Sequence, residues 1–174
     1  KDYKDRFTID GARLRSYYIG FRTEKFEEQE EETPVVADIL IDFNSTESIF
    51  DSQRADCYAQ YANENETPFK KWDEITSTLS ELDTSKLHYV RVPENHIVID
   101  FDITNEKGEK DFDLNIKEAS KWPPTYAELS KSGAGIHLHY IYSGDASQLS
   151  RIYDENIEVK VFTGKSSLRR KLSK

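Results

Sequence analysis

Apolar positions along the chain change period several times, and each change marks an element. The strictest alternation is His96-Ile97-Val98-Ile99-Asp100-Phe101-Asp102-Ile103. Side chains of a strand point alternately to its two faces, so this stretch reads as a strand with Ile97, Ile99, Phe101 and Ile103 on one side. Leu87–Val92 reads as its neighbour, across a Pro93-Glu94-Asn95 turn. Tyr126–Leu129 and Ile136–Tyr142 flank a glycine-containing turn and read as a hairpin. Ile157–Phe162 reads as a last strand, and Ser143–Asn156 as a polar connection with a short helix. Earlier in the chain, Val35–Phe43 is rich in β-formers, and residues 7–21 hold a strand centred on Tyr17–Phe21. Glu47–Asn63 has helical spacing, with Ile49, Phe50, Cys57, Tyr58 and Tyr61 near one face and Ser45 as cap. Lys71–Leu82 repeats that spacing through Trp72, Ile75, Leu79 and Leu82. Asn105–Gly108 is a turn, and Asp111–Trp122 a helix stopped by Pro123-Pro124. This order predicts an α/β (α+β) domain with a mixed, largely antiparallel sheet flanked by helices.

Composition narrows the class. The chain has 174 residues, 36% hydrophobic and 33% charged, which suits one domain with a real core and a charged surface. No apolar run approaches the ~20 residues of a membrane helix, and no signal sequence is visible, so a cytoplasmic or nucleoid-associated protein with no membrane partner is expected. The single cysteine, Cys57, excludes an internal disulfide and a cysteine-built zinc site. With no methionine, the chain reads as an excised piece of a longer protein, and residues 1–5 as a tag remnant. Residues 1–84 form a part of uncertain role, and 85–170 the chemical core. The net charge of −9 argues against indiscriminate DNA binding, although Lys165, Arg169, Arg170, Lys171 and Lys174 make the tail basic, while Glu27–Glu32 is an acidic loop.

Two constellations carry chemistry. Asp100 and Asp102 share a face of the most apolar strand, where two carboxylates repel unless a cation lies between them. Hard oxygen ligands suit magnesium or manganese, and a solvated strand face is the bland alternative. Asp38 and Asp42 also share a face, four residues apart, too far for one compact ion. The second constellation is Ser132-Gly133-Ala134-Gly135-Ile136-His137-Leu138-His139. Two glycines in a tight turn let backbone N–H groups approach an anion, and the turn opens into a strand bearing His137 and His139 on one face. Ser132, the turn and His137 suit a triphosphate; a plain glycine hairpin with structural histidines is the alternative.

Together, "IDFDI" and "SGAGIHLHY" resemble the archaeo-eukaryotic primase superfamily, which includes the primase-polymerases of phages and plasmids. The resemblance covers residues 87–170. It implies an RRM-like core and DNA primase and DNA polymerase activity through a two-metal mechanism with Mg2+ or Mn2+. It also implies a third acid on a later strand, for which Glu158 is the candidate and Asp154 and Glu155 the fallbacks. Catalytic residues are then Asp100, Asp102, Glu158 and His137, the three acids holding metal. Ser132, Gly133, Gly135, His137, Lys160 and Lys165 would bind nucleotide, and Arg151, Arg169 and Arg170 nucleic acid, with Tyr140, Tyr142 and Tyr153 as stacking candidates. Expected partners are a single-stranded DNA template, NTP or dNTP, and a helicase domain or subunit. "TGKSS" at 163–167 lacks the first glycine of a Walker motif. Two rivals stand beside this reading. One is an HUH-type replication-initiation nuclease using His137, His139 and a tyrosine such as Tyr153. The other is a non-catalytic nucleic-acid or protein interaction module.

Overall fold

The computed structural model describes residues 48–172 and the backbone of a strand at Leu14–Ser16. The strands expected at Tyr17–Phe21 and Val35–Phe43, the acidic run at 27–32, the Ser45 cap, Asp38, Asp42 and Lys174 lie outside the described residues.

The molecule is an α+β domain built on two antiparallel sheets. The larger has the order β1-β6-β4-β8-β7, with β1 Leu14–Ser16, β4 His96–Phe101, β6 Ile136–Tyr142, β7 Ile152–Asp154 and β8 Ile157–Val161. Strand β5, Tyr126–Leu129, pairs with the first half of β6, and β1 with its second half, along one edge. The smaller sheet runs β2-β3-β9: Ala59–Tyr61, His88–Val90 and Leu168–Arg170.

Each face of the large sheet has its own core. Ile97, Ile99, Phe101, Ile136, Leu138, Tyr140, Ile157 and Val159 pack against helix α2, Phe112–Ala119, through Ile116, Ala119 and Trp122. On the other face Val98 and Phe162 meet Phe50, Ala59, Leu79, Val90 and Leu168 from the small sheet and helix α1, Ile49–Gln53. The small sheet covers the His96–Val98 end of that face. Asp100 sits beyond this cover and is itself 4% exposed; that end is open through its neighbours, the exposed Glu158 and the 40% exposed Lys160.

The strands and helix expected between residues 87 and 162 are present, with Asp111 capping α2 through Leu114 N. The two N-terminal helices are not. From Glu47–Asn63 only α1 survives, and Lys71–Leu82 is reduced to 3-10 turns at Trp72–Glu74 and Leu79–Glu81. The reason is non-local: the two stretches hydrogen-bond to each other, Ala59 N to Ser77 O, Leu79 N to Cys57 O and Ser80 N to Ala55 O. Those bonds replace the i to i−4 ladder, and the Thr76-Ser77-Thr78 run is a poor helix former. Strand β7 and strand β9 were also not expected; β9 turns part of the basic tail into structure, paired to β3.

Candidate functional site

One row of side chains crosses the open end of the large sheet. Backbone register places His137 opposite Asp100 on one side and Glu158 opposite it on the other. Partnered residues of an antiparallel pair project to the same face, so β6, β4 and β8 present His137, Asp100 and Glu158 side by side. His137 Nε2 lies 3.1 Å from Asp100 Oδ1, and Lys160 Nζ 3.0 Å from Oδ2. Burial of Asp100 works against its charge, but His137 and Lys160 prevail and hold its carboxyl at a pKa of about 2. Asp100 is ionised at neutral pH.

Asp102 follows where β4 ends, its N–H bonded to Asn156 O and its Oδ1 3.0 Å from Lys110 Nζ. It packs directly against the glycine turn. A side chain on Gly135 would project to the His137 face, where its Cβ would meet Ser130 Oγ at 2.7 Å and Asp102 Oδ1 at 2.8 Å. Gly135 is therefore a matter of space, whereas Gly133, at φ +77°, is a matter of conformation.

The turn itself differs from the anion cradle expected of it. Gly133 N donates to Ser130 O, Ala134 N to Ser132 Oγ and Gly135 N to Ser130 Oγ. The amides of Gly133, Ala134 and Gly135 are thus satisfied within the turn, so they do not form an anion nest. Asn115 is a site residue that sequence reasoning missed. Fully buried on α2, it accepts from Ile103 N and donates to Ala134 O, tying the end of β4 to the glycine turn. An amide on the buried face of an amphipathic helix was its one visible signal.

The donor chemistry fits a hard divalent ion at two of the three expected ligands. Asp100 Oδ1 and Asp102 Oδ1 are buried oxygens with a cationic or imidazole neighbour but no aligned hydrogen-bond donor. Glu158 is adjacent in register but exposed, and among the described residues no three His, Cys, Asp or Glu side chains converge around one point. Asp154 and Glu155 are not substitutes. Asp154 is partnered with Ile157, whose side chain packs on the α2 face, and both acids line a groove there with Leu114 and Lys117.

Several other expectations are corrected. Arg170 is 3% exposed and cannot reach nucleic acid: its Nε and Nη2 donate to Glu128, and its Nη1 lies 2.7 Å from Asp51 Oδ1. Lys165 does not sit beside Glu158. It is exposed in the turn after β8, which leads from Glu158 towards the opposite end of the sheet, roughly 14 Å along the strand by Phe162. Tyr140 and Tyr142 are core residues, and Tyr153 packs on Trp122 with ring centroids 4.8 Å apart, so none offers a free face to a base. Arg151 is exposed at the sheet edge, its carbonyl accepting from Val159 N.

His139 is fully buried in a second polar system behind the site, which denies a nuclease its open histidine pair. The hydrogen-bond directions follow from the partners. Arg54 Nε donates to His96 Nδ1, so His96 carries its proton on Nε2 and donates it to His139 Nδ1 at 2.8 Å. The proton of His139 is then on Nε2, 3.5 Å from Glu128 Oε2. From the other side Arg170 holds Glu128 and offers Nη1 to His88 Nε2 at 3.1 Å, and His88 Nδ1 donates to Lys86 O. All three imidazoles are neutral, and desolvation lowers the pKa of each. Burial opposes the Glu128 charge, yet Arg170 and His139 keep it well below the carboxylate range.

Among the described residues no helix is long and apolar enough to cross a membrane. No protein-family model, curated protein or solved structure matches the chain.

Proposed function

We propose that the open end of the large sheet carries out template-directed nucleotidyl transfer, as a DNA primase-polymerase active in replication. The observation that carries the reading is the cross-sheet row His137–Asp100–Glu158, with Asp102 wedged against Gly135 at its end. Asp100 and Asp102 would hold magnesium or manganese, with Glu158 the acid nearest to completing the set. The bound ion supplies charge neutralisation at the triphosphate and a lowered pKa at the attacking hydroxyl. In the transfer, the primer 3′-oxygen bonds to the α-phosphorus, and the bond from that phosphorus to the bridging oxygen breaks. Pyrophosphate leaves with the electron pair, and the hydroxyl proton passes to solvent.

The side chains position these groups. His137, held at Asp100, and Ser132 at the turn would be the side chains to grip the triphosphate. Lys160, 3.0 Å from Asp100, would supply a cation to that phosphate. Most of the catalytic effect is then orientation and electrostatic stabilisation. A single-stranded template, NTP or dNTP, and a helicase domain or subunit are the partners this reading implies.

Asp100→Ala combined with Asp102→Ala abolishes manganese-dependent primer extension while the circular dichroism spectrum stays native. Full incorporation by the double variant would sink the assignment. Calorimetric titration with manganese and a nucleoside triphosphate separates this reading from an interaction module, which binds no nucleotide in a metal-dependent way.

A further inference from the structure

A second charged cluster involves the glycine turn, at what would be the rim of the proposed nucleotide cleft. The Asn63–Thr67 turn is tightly built: Asn63 N donates to Thr67 O, and Asn63 Oδ1 accepts from Asn65 N and Thr67 N. It presents Glu66 at φ +60°, a left-handed conformation that non-glycine residues adopt only under constraint. The strained residue is fixed from three directions. Its carbonyl accepts from Tyr89 Oη at 2.5 Å, and its carboxylate pairs with Lys131 and, at 2.9 Å, with Arg169. Lys131 and Arg169 together hold the Glu66 carboxyl below its ordinary range.

The positions of the two cations are telling. Lys131 lies between Ser130 and Ser132, in the turn that touches Asp102. Arg169 is on β9, and the next residue, Arg170, locks β9 to β5 through Glu128. The sheet therefore delivers Arg169 to Glu66, which links it to Lys131 of the glycine turn. The two basic side chains come from distant parts of the chain, are each about 45% exposed, and converge on one carboxylate. Such convergence suits a phosphate oxygen as well as it suits a carboxylate. The Gly133, Ala134 and Gly135 amides are already bonded within the turn, so Lys131 and Arg169 are the charged groups there that can hold an anion.

We propose that Lys131 and Arg169 form a phosphate-binding site at the cleft rim, and that Glu66 fills it with its own carboxylate until a nucleic-acid or nucleotide phosphate displaces it. Glu66 is then an internal competitor. It keeps an acidic protein, of net charge −9, from adventitious anion binding. The inference rests on the nucleotide-handling reading of the cleft and adds to it a phosphate contact and a gate.

Two titrations of the full chain test it, both in EDTA so that no metal site contributes. One follows the fluorescence anisotropy of a labelled single-stranded oligonucleotide; the other follows binding of ATP. Glu66→Gln tightens binding of the true ligand about three- to tenfold. Lys131→Ala with Arg169→Ala weakens it at least about fivefold and, for the oligonucleotide, lowers the salt slope by roughly 1.4, two contacts at about 0.7 each. The arm that responds identifies the source of the phosphate. The Glu66→Gln gain is a readout that misfolding cannot produce. If both variants bind both ligands as the unmodified chain does, or if neither the unmodified chain nor Glu66→Gln binds either ligand, the proposal is overturned. Because the assay excludes metal, that failure is distinct from failure of the Asp100/Asp102 extension test.

Discussion

Replacing Arg170 with methionine tests the buried polar system most directly. The guanidinium is 3% exposed and serves five partners at once: Glu128 through Nε at 2.9 Å and Nη2 at 2.6 Å, Asp51 at 2.7 Å, His88 at 3.1 Å, Ser48 Oγ at 3.3 Å, and the Phe50 ring at 4.1 Å. Methionine keeps most of the volume and none of the charge. Glu128 is then left ionised and buried with Tyr126 and His139 as its neighbours, a situation that costs about 3–5 kcal/mol. Loss of the desolvated cation–π contact adds roughly 1–2 kcal/mol. Asp51 contributes less, because it is part-exposed and still accepts from Thr84. A loss of about 5 kcal/mol would consume much of the stability of a typical domain. Urea denaturation measures it, with Glu128→Gln and the Arg170→Met/Glu128→Gln pair completing a double-mutant cycle. The pair should be more stable than Arg170→Met alone, with coupling above about 2 kcal/mol. If Arg170→Met unfolds within about 1 kcal/mol of the unmodified chain, the network is not what holds β9 in place.

Gly135→Ala forces a Cβ to within 2.7 Å of Ser130 Oγ and 3.0 Å of the Phe101 carbonyl, and the backbone cannot yield cheaply. A destabilisation of about 1–3 kcal/mol follows, with loss of extension activity out of proportion to the shift in melting temperature, because Asp102 must move. A normal rate in a normally folded variant refutes the packing argument. Stability also falls as pH drops below about 6.5, where unfolded histidines begin to protonate. His88, His96 and His139 have folded pKa values below the ordinary 6.5, so the folded state refuses protons that the unfolded state takes up. His96 Nδ1 and His88 Nε2 already accept from Arg54 and Arg170, and a proton there would face another cationic N–H. Urea midpoints that stay level between about pH 7.5 and 5.5 would contradict the neutral assignment.

The two halves of the chain were legible to different degrees for a physical reason. Strands β4, β6 and β8 are central, with an apolar face towards α2 and chemical residues on the other, so alternation exposed Asp100 and His137, while Glu158 and Lys160 were joined to them through the family resemblance. Residues 49–82 were misread because their apolar spacing was shaped by a partner segment. Phe50, Ala59 and Leu79 all reach one core, but the backbone between them pairs across the gap and does not coil. Arg170 was misread for a related reason. A run of Arg169, Arg170 and Lys171 looks like a solvated basic tail until β9 pairs with β3 and turns every second residue inward.

That alternation ties the buried network to the cleft. A three-stranded sheet with strands of three residues buries little apolar surface, and an apolar contact alone would let it slide. Directional bonds do not permit this. Arg170 reaches Glu128 on β5, whose register partner is His137, and His139 in the next row receives its hydrogen bond from His96 on β4. The same chain of bonds therefore sets the register of β9 against β5 and the packing behind the His137–Asp100 pair. One residue along β9 on the other face, Arg169 meets Glu66, the same carboxylate that pairs with Lys131. A slip of β9 by one residue would exchange the roles of Arg169 and Arg170, burying the rim cation and exposing the one that neutralises Glu128. The cost of an unpaired Glu128 is thus what fixes the position of the cleft rim.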